Sequence, residues 1–504
     1  MVIGIFFRFA NLDNALYWKD EAYTSLRISG YTKADFLRDE FQGQVLNYDD
    51  LAKYQQLNPD KGIDSTISSL AADAPQHPPL YFTLARFTTA LFGNDGTLGP
   101  RFLTAISSLL IFPIIYWLCL ELFQSPLIGW IAMALVAVSP MHLLYAQEAR
   151  QYSLWAGTTL LSGALLLRAM RLKTTQGWFW YGASVVLGLY VYLFTILNSM
   201  AQGLYVIVSE RLRVTKVAIA WVIASFCAIV LYAPWIWVII DNSARITNNT
   251  GWTKARFPLT QMPVQWLRSA SYTFFDLQNG YNDPLLGIYV ILPLMALTLY
   301  AFYVLIKQTP LRTWFFVVTL IVVPFLALAI PDIVSGGVRS ITPRYIFPVF
   351  LGLELAVAYL LGTQLTAIAK LWQQTAWQLV AVMLISGGIL SCAVINQSKT
   401  WWTKYGSYYN AEVADVINSY DAPLLISSDD QNVNVLALWH LLDPKVKFQL
   451  VTEPALPDIP AGFKDVLVHN VSDDMLAALE GQNYTLDMLV SHQSPKTTLA
   501  RITR

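Results

Sequence analysis

Four short stretches carry the side chains whose types and spacing could act on a substrate. In YWKDEAYT (17–24), Asp20 and Glu21 are adjacent carboxylates just behind aromatic residues. Two such acids can divide labour, one accepting a proton while the other orients the group or holds a cation. In SPMHLLYAQEARQYSL (139–154), Glu148, Arg150 and Tyr152 fall where a helix begins. A guanidinium there can fork onto a phosphate, and a helix start adds backbone N–H donors for an anion. RSITPRYIFP (339–348) adds Arg339, Arg344 and Tyr345, and QHPPLYF (76–82) places His77 before a stiff Pro-Pro. Taken singly, each has a plainer reading: solvated loop acids, interfacial anchors, a structural histidine. Together they offer a carboxylate base beside a cationic grip, which suits transfer of a group away from a phosphate leaving group.

The elements that must position these residues are apolar. The 504-residue chain is 55% hydrophobic and only 13% charged, with a mean hydropathy of +0.45. A soluble domain carries about a quarter charged residues, so a soluble enzyme is excluded, and disorder is excluded by the same apolarity. Aromatic residues reach 13%, which suits rings at long water–lipid boundaries. Lys+Arg and Asp+Glu both number 33, so no global basic field exists to hold nucleic acid. Cys119, Cys227 and Cys392 lie in apolar runs and build neither a disulfide framework nor a zinc site.

A bilayer core about 30 Å thick needs around 20 apolar residues per helix. That criterion suggests about eleven transmembrane helices, at 1–10 (short, with Arg8 inside), 101–123, 126–146, 152–169, 178–194, 195–209, 217–240, 284–306, 313–330, 346–368 and 377–396. Short loops holding Arg168, Arg171 and Lys173, then Arg211, Arg213 and Lys216, then Lys307 and Arg312, then Lys370 fall on one side if 178–209 is two helices. The bias of Lys and Arg toward the cytoplasm assigns that side. Residues 11–100, 241–283, 331–345 and the tail then face outward. PPLYFTLARFTTALFG (78–93) reads as an amphipathic helix along the outer surface, the alternative being a short span. From about 398 the chain turns mixed. APLLISS (422–428) and KDVLVHN (464–470) read as buried strands, and NVNVLALWHLL (432–442) reads as a helix. The expectation is an all-α polytopic membrane unit over 1–397, with outer-loop surface helices in 11–100, and a small extracytoplasmic α/β domain over 398–504.

The order WKDEAYT, QHPPLYF, GPRFLTAISSLL (99–110), SPMHLLYAQEARQYSL and a late Arg-Tyr opening a span resembles the GT-C superfamily of glycosyltransferases. It is most similar to family 39, the protein O-mannosyltransferase and aminoarabinose-transferase-like group. The likeness covers about residues 1–210, and 339–365 more weakly. It implies a GT-C fold, a polyprenyl-phosphate sugar donor and a site facing away from the cytoplasm. It implies Asp20 as base, Glu21 in support of its geometry, and Glu148, Arg150, Tyr152, Arg344 and Tyr345 around the donor phosphate. His77, Arg101 and Tyr192 would be supporting residues. Many relatives carry a histidine where YVYLF (190–194) has Tyr192, which puts a metal or donor role there in doubt. No cofactor is required; a divalent cation is left open, with Glu21, Glu148 and His77 as candidate ligands.

The function expected from these residues is an inverting sugar transfer from a polyprenyl-phosphate donor to an acceptor hydroxyl on a lipid, glycan or protein, at the periplasmic or outer face of what resembles a bacterial plasma membrane. Two alternatives share the pattern: a lipid-linked glycan flippase or exporter, and a glycan ligase or polymerase with a pyrophosphate-linked donor. A transporter keeps its site near the bilayer midplane between broken helices, whereas the acids here gather in outer loops.

Overall fold

The computed structural model describes residues 1–503 except 95, 278–284, 368, 369 and 457, and the backbone alone at 285–288. Parts of the expected outer loop 241–283 and the ends of the expected spans 284–306 and 346–368 therefore lie outside the described residues. The chain opens with a short helix α1 (Val2–Phe9) and a loop holding α2 (Lys19–Ile28), α3 (Lys33–Glu40), strand β1 (Gln42–Leu46), α4 (Tyr48–Ala52), α5 (Ile63–Asp73) and α6 (Leu80–Leu91). The apolar runs then fold as α7 (Leu98–Phe123), α8 (Pro126–Ala137), α9 (Pro140–Ala146), α10 (Tyr152–Leu172), α11 (Thr175–Val191), α12 (Thr195–Ser209) and α13 (Lys216–Asp241). After the small helices α14 (Ser243–Asn249) and α15 (Met262–Ser271) come α16 (Leu285–Gln308), α17 (Leu311–Ser335), α18 (Phe347–Thr366) and α19 (Leu371–Gln397).

Each of the eleven expected segments is helical over most of its described residues. Among the described residues, six helices are long and apolar enough to cross a membrane by length and composition, or up to seven if the pair α8–α9 is one span bent by 60°. The bend falls just before Pro140, which opens α9; the residue before a proline is pushed out of helical geometry. Between α11 and α12 the chain is extended at Tyr192 (φ −156°, ψ 130°), so 178–209 is two helices. Residues 80–91 form the separate helix α6, packed on α7. Arg8, inside the first apolar run, is fully buried. It donates to Ser108 and to the carbonyls of Gly4, Ala137 and Val136, which offsets the cost of a charge among apolar helices.

The loops divide between the two ends of the bundle. Arg171 pairs with Glu121 and Arg312 with Glu210 at one end. At the other end the first loop meets the later long loops: Asn249 donates to the Asp73 carbonyl and Arg344 faces Asp20.

The tail supplies α20 (Asn410–Asn418), β2 (Leu424–Ser428), α21 (Asn432–Trp439), β3 (Lys447–Val451), β4 (Val466–His469), α22 (Asp473–Gly481), β5 (Thr485–Gln493) and β6 (Lys496–Thr503). The sheet order is β1-β3-β2-β4-β6-β5. Central β2 runs parallel to β3 and β4, with Leu425 opposite Phe448 and Leu467. It is buried along its whole length, as a strand covered on both faces must be. Leu425 points to α20 and α21 with Phe36 and Tyr54 of the first loop, whereas Leu424 and Ile426 point to α22. This three-layer α/β unit matches the expected tail domain with one addition. Its edge strand β1 comes from the first loop and pairs antiparallel with β3, so the sheet reaches across the 397/398 division read from sequence.

Candidate active site

The site is organised by α2, whose first turn carries Asp20 and Glu21. Successive helix residues point about 100° apart, so the two neighbours face different surroundings. Glu21, at the third helix position, accepts from the Trp18 backbone N–H at 3.3 Å, as in a capping box. It is wholly buried. Its Oε1 accepts from Arg101 Nε (2.8 Å) and the Ala149 N–H (2.8 Å), and its Oε2 from Arg101 Nη2 (2.9 Å) and Lys404 Nζ (2.9 Å). Burial alone would raise its pKa, but the Arg101 and Lys404 charges outweigh that and hold it at about 2. With both oxygens spent on donors, Glu21 is a positioning residue. It ties α2, the start of α7, the 147–151 turn and the segment after α19 into one unit. Arg101 completes the clamp on the Leu12 and Leu16 carbonyls.

Asp20 keeps a partly exposed carboxylate, 3.4 Å from Arg344 Nη1. Arg150 approaches the same turn, donating to the Asp20 carbonyl (3.3 Å) and the Thr24 hydroxyl (3.4 Å). Thr24 in turn donates to the Ala149 carbonyl at 2.9 Å. The Arg344 guanidinium lies 5.4–5.6 Å from the ring centres of Trp18, Trp252 and Tyr345, a cation–π cage that holds it without neutralising it. The Nε atoms of Arg150 and Arg344 are buried without a hydrogen-bond partner.

Glu148 is buried, and its Oε1 has no partner. Burial, the largest cause, pushes its pKa up to about 8, with the Glu21 and Asp20 charges adding to it against Lys404 and Arg344. Its surroundings thus favour the neutral acid over the carboxylate. His77 sits 3.2 Å from Arg150 Nη2 through Nε2 and 3.2 Å from Gln151 through Nδ1. Burial, with Arg150, Arg27 and Arg344 adding, holds its pKa well below the ordinary value. A neutral ring that accepts from Arg150 at Nε2 carries its proton on Nδ1; the Gln151 amide accepts that proton once turned over, so that its otherwise unpartnered Oε1 takes the place of Nε2. Tyr152 packs edge-on against Tyr145 and Tyr192. Tyr192 contacts Phe194, which reaches Tyr345. An aromatic wall thus runs from α9 to the Arg344 turn.

Asp20, Arg150, Arg344, His77, Tyr152 and Tyr345 thus come together, Glu21 and Arg101 brace them, and Tyr192 lines the wall behind. Glu148 lies beside the brace with no partner for Oε1. Arg339 is engaged elsewhere, with Asp332. Sequence reasoning missed Lys404 and Arg27. Arg27 is buried against the Tyr23 ring with its Nε unpartnered. The spacing of Asp20, Thr24 and Arg27 on one helical face was the signal available for Arg27. Lys404 follows two tryptophans just after the last apolar run and has no such mark. Among the described residues, no three His, Cys, Asp or Glu side chains gather to hold a metal ion. Chemically, the cluster offers one acceptor-only carboxylate and several guanidiniums with unspent donors, an arrangement that binds a phosphate while leaving a base beside it.

Residues 76–237 match the family model described as dolichyl-phosphate-mannose-protein mannosyltransferase. No curated protein matches the chain. Among solved structures, ArnT from Cupriavidus metallidurans bound to undecaprenyl phosphate is similar at 14% identity, with a TM-score of 0.54 over 99% of this chain and 96% of that one. The apo state of the same enzyme gives 12% identity and a TM-score of 0.45 over 84% and 87%. The Archaeoglobus fulgidus oligosaccharyltransferase tethered to an acceptor peptide containing the NVT sequon gives 12% and 0.47 over 85% and 64%. Residues 76–237 thus resemble that mannosyltransferase family, and the chain as a whole has an ArnT-like fold with several helices apolar enough to cross a membrane.

Proposed function

We propose that the chain moves a sugar from a polyprenyl-phosphate donor to an acceptor hydroxyl on a lipid, glycan or protein, with inversion and with Asp20 as the base. The observation that carries this reading is the Asp20 carboxylate held 3.4 Å from the caged Arg344 guanidinium, with Arg150 on the same turn. In the reaction, the acceptor O–H gives its proton to Asp20. Its oxygen bonds to the anomeric carbon as the bond from that carbon to the phosphate oxygen breaks. The electron pair leaves on the lipid phosphate, whose charge Arg344 and Arg150 receive. Attack opposite the leaving group inverts the anomeric configuration. A donor phosphate competes with Asp20 for Arg344, so donor binding itself frees the base.

The lipid phosphate in the similar ArnT structure supports the donor class. The gathering of Lys and Arg loops at the opposite end of the bundle supports a site facing the periplasm or cell exterior of a bacterial plasma membrane. The same bias supports eleven crossings, with 1–397 as the catalytic unit and 398–504 as its outer companion. Base catalysis contributes roughly 10²–10⁴-fold, so Asp20→Asn loses that much transfer while still inserting and binding donor. Near-normal release of lipid phosphate by Asp20→Asn removes Asp20 from the role. Donor crossing the membrane uncleaved by the wild type marks an exporter instead.

A further inference from the structure

A cavity of about 500 Å³ opens on the other side of the clamp, between the first loop, the start of α7 and the end of α21. Its volume falls in the range of ligand sites, roughly 300–1,000 Å³. Its lining is polar and aromatic, with little charge to spend. The Arg101 guanidinium at its floor is already taken by Glu21 and two carbonyls. The carboxylate at the rim, Asp13, would repel an anion. Asn14, Gln56 and Asn94 line the mouth, are exposed, and make no side-chain hydrogen bond among the described residues. Tyr48, half-buried, is stacked on Trp439 with ring centres 4.6 Å apart, and Trp439 is anchored by its indole N–H on the Tyr48 carbonyl at 2.9 Å.

Amide side chains each donate and accept, which matches the adjacent hydroxyls of a sugar. The Tyr48 ring, held rigid on the buried Trp439, matches the apolar C–H face of a pyranose ring. Among the described residues a phosphate would find no free cation here, and a purely apolar ligand would strand the amides. We propose that this cavity is a second carbohydrate site, which binds a neutral saccharide unit separate from the sugar being transferred. Any role of that unit as part of the acceptor rests on the transfer reading above; the binding does not.

The test is saturation-transfer NMR on the full chain in lipid nanodiscs with maltose, cellobiose, chitobiose and mannobiose as probes. At least one gives saturation transfer with the wild type. The triple variant Asn14→Ala, Gln56→Ala, Asn94→Ala, all at exposed positions, keeps its melting temperature and weakens that binding at least tenfold. Asp20→Asn leaves it unchanged. Failure of all four probes overturns the proposal, as does a triple variant that binds like the wild type. Loss of binding in Asp20→Asn overturns it too, because the saccharide would then sit in the transfer site. Full transfer by Asp20→Asn would sink the proposed mechanism and leave this site standing.

Discussion

Replacing Glu21 by Gln keeps shape and volume and removes one charge, and it probes the brace under the site. Wild-type Glu21 meets five donors: two from Arg101, one from Lys404 and the N–H groups of Ala149 and Trp18. A glutamine presents one acceptor oxygen and one NH₂, so donors are left facing a donor, and two buried cations lose their counter-ion. The Arg101 side chain is 1% exposed and that of Lys404 7%, so water cannot replace the lost charge. Breaking a buried pair from one side costs about 3–5 kcal/mol. In detergent or nanodiscs, Glu21→Gln should therefore melt well below the wild type. Adding Lys404→Met, which removes the surplus cation, should recover part of the loss. The gap should also depend on pH. The folded pKa of Glu21 lies at about 2, below the ordinary carboxylate value of 4.5. Its contribution is thus fully present above pH 4.5 and is lost as pH falls toward 2. Equal melting of Glu21→Gln and wild type near neutral pH would refute the brace, and so would a double variant worse than the sum of the singles.

Glu148 has the opposite sign. Its folded pKa, about 8, lies above the unfolded one, so the native state binds more protons and the wild type loses stability as pH rises from 4.5 through 8. Glu148→Gln should be insensitive in that window and gain on the wild type toward pH 8; parallel melting curves across it would remove the buried neutral acid. Arg150→Ala should weaken binding of fluorescent undecaprenyl phosphate by about 1.5–3 kcal/mol, roughly ten- to hundredfold, with little change in melting, and unaltered affinity would take Arg150 out of the donor site. Tyr192→Phe should transfer normally because the ring packs by its edges, whereas Tyr192→Ala should cost about 3 kcal/mol of stability. A Phe variant as impaired as the Ala one would give the hydroxyl a role of its own.

The helices were legible because twenty-residue apolar runs leave few alternatives in lipid, where backbone groups must be satisfied within the segment. The two-helix reading of 178–209 followed from loop charge alone, and the extended backbone at Tyr192 is its local cause. Of the tail strands, β3, β5 and β6 went unread, and two were legible for a related reason: LLISS and VLVH are buried on both faces. Strand β1 was not. QGQVL is mostly exposed, carries no alternation of apolar and polar residues, and exists because β3 offers it an edge. The cluster itself was half legible. Asp20, Arg150 and Arg344 stand out as polar groups at span ends. Arg27 was marked only by its helical spacing from Asp20 and Thr24, and Lys404 becomes visible only when folding brings position 404 against position 21.

The adjacent acids at 20 and 21 make the division of labour concrete. One sequence step rotates the side chain by about 100°, from a dry pocket of five donors to a half-open face with a caged arginine. A carboxylate in the first setting is bound too tightly to take up a proton, since its conjugate acid is favoured only near pH 2. A carboxylate in the second keeps solvent access and a single, weaker partner at 3.4 Å, which an incoming phosphate can displace. The cost of burying Glu21, Arg101 and Lys404 together is repaid by geometry: the triad fixes the first turn of α2, and with it the direction in which Asp20 points. The brace and the proposed base are separable by experiment for the same reason. Glu21→Gln should lower melting temperature and loosen donor and acceptor alignment together, whereas Asp20→Asn should remove turnover from a chain that melts like the wild type.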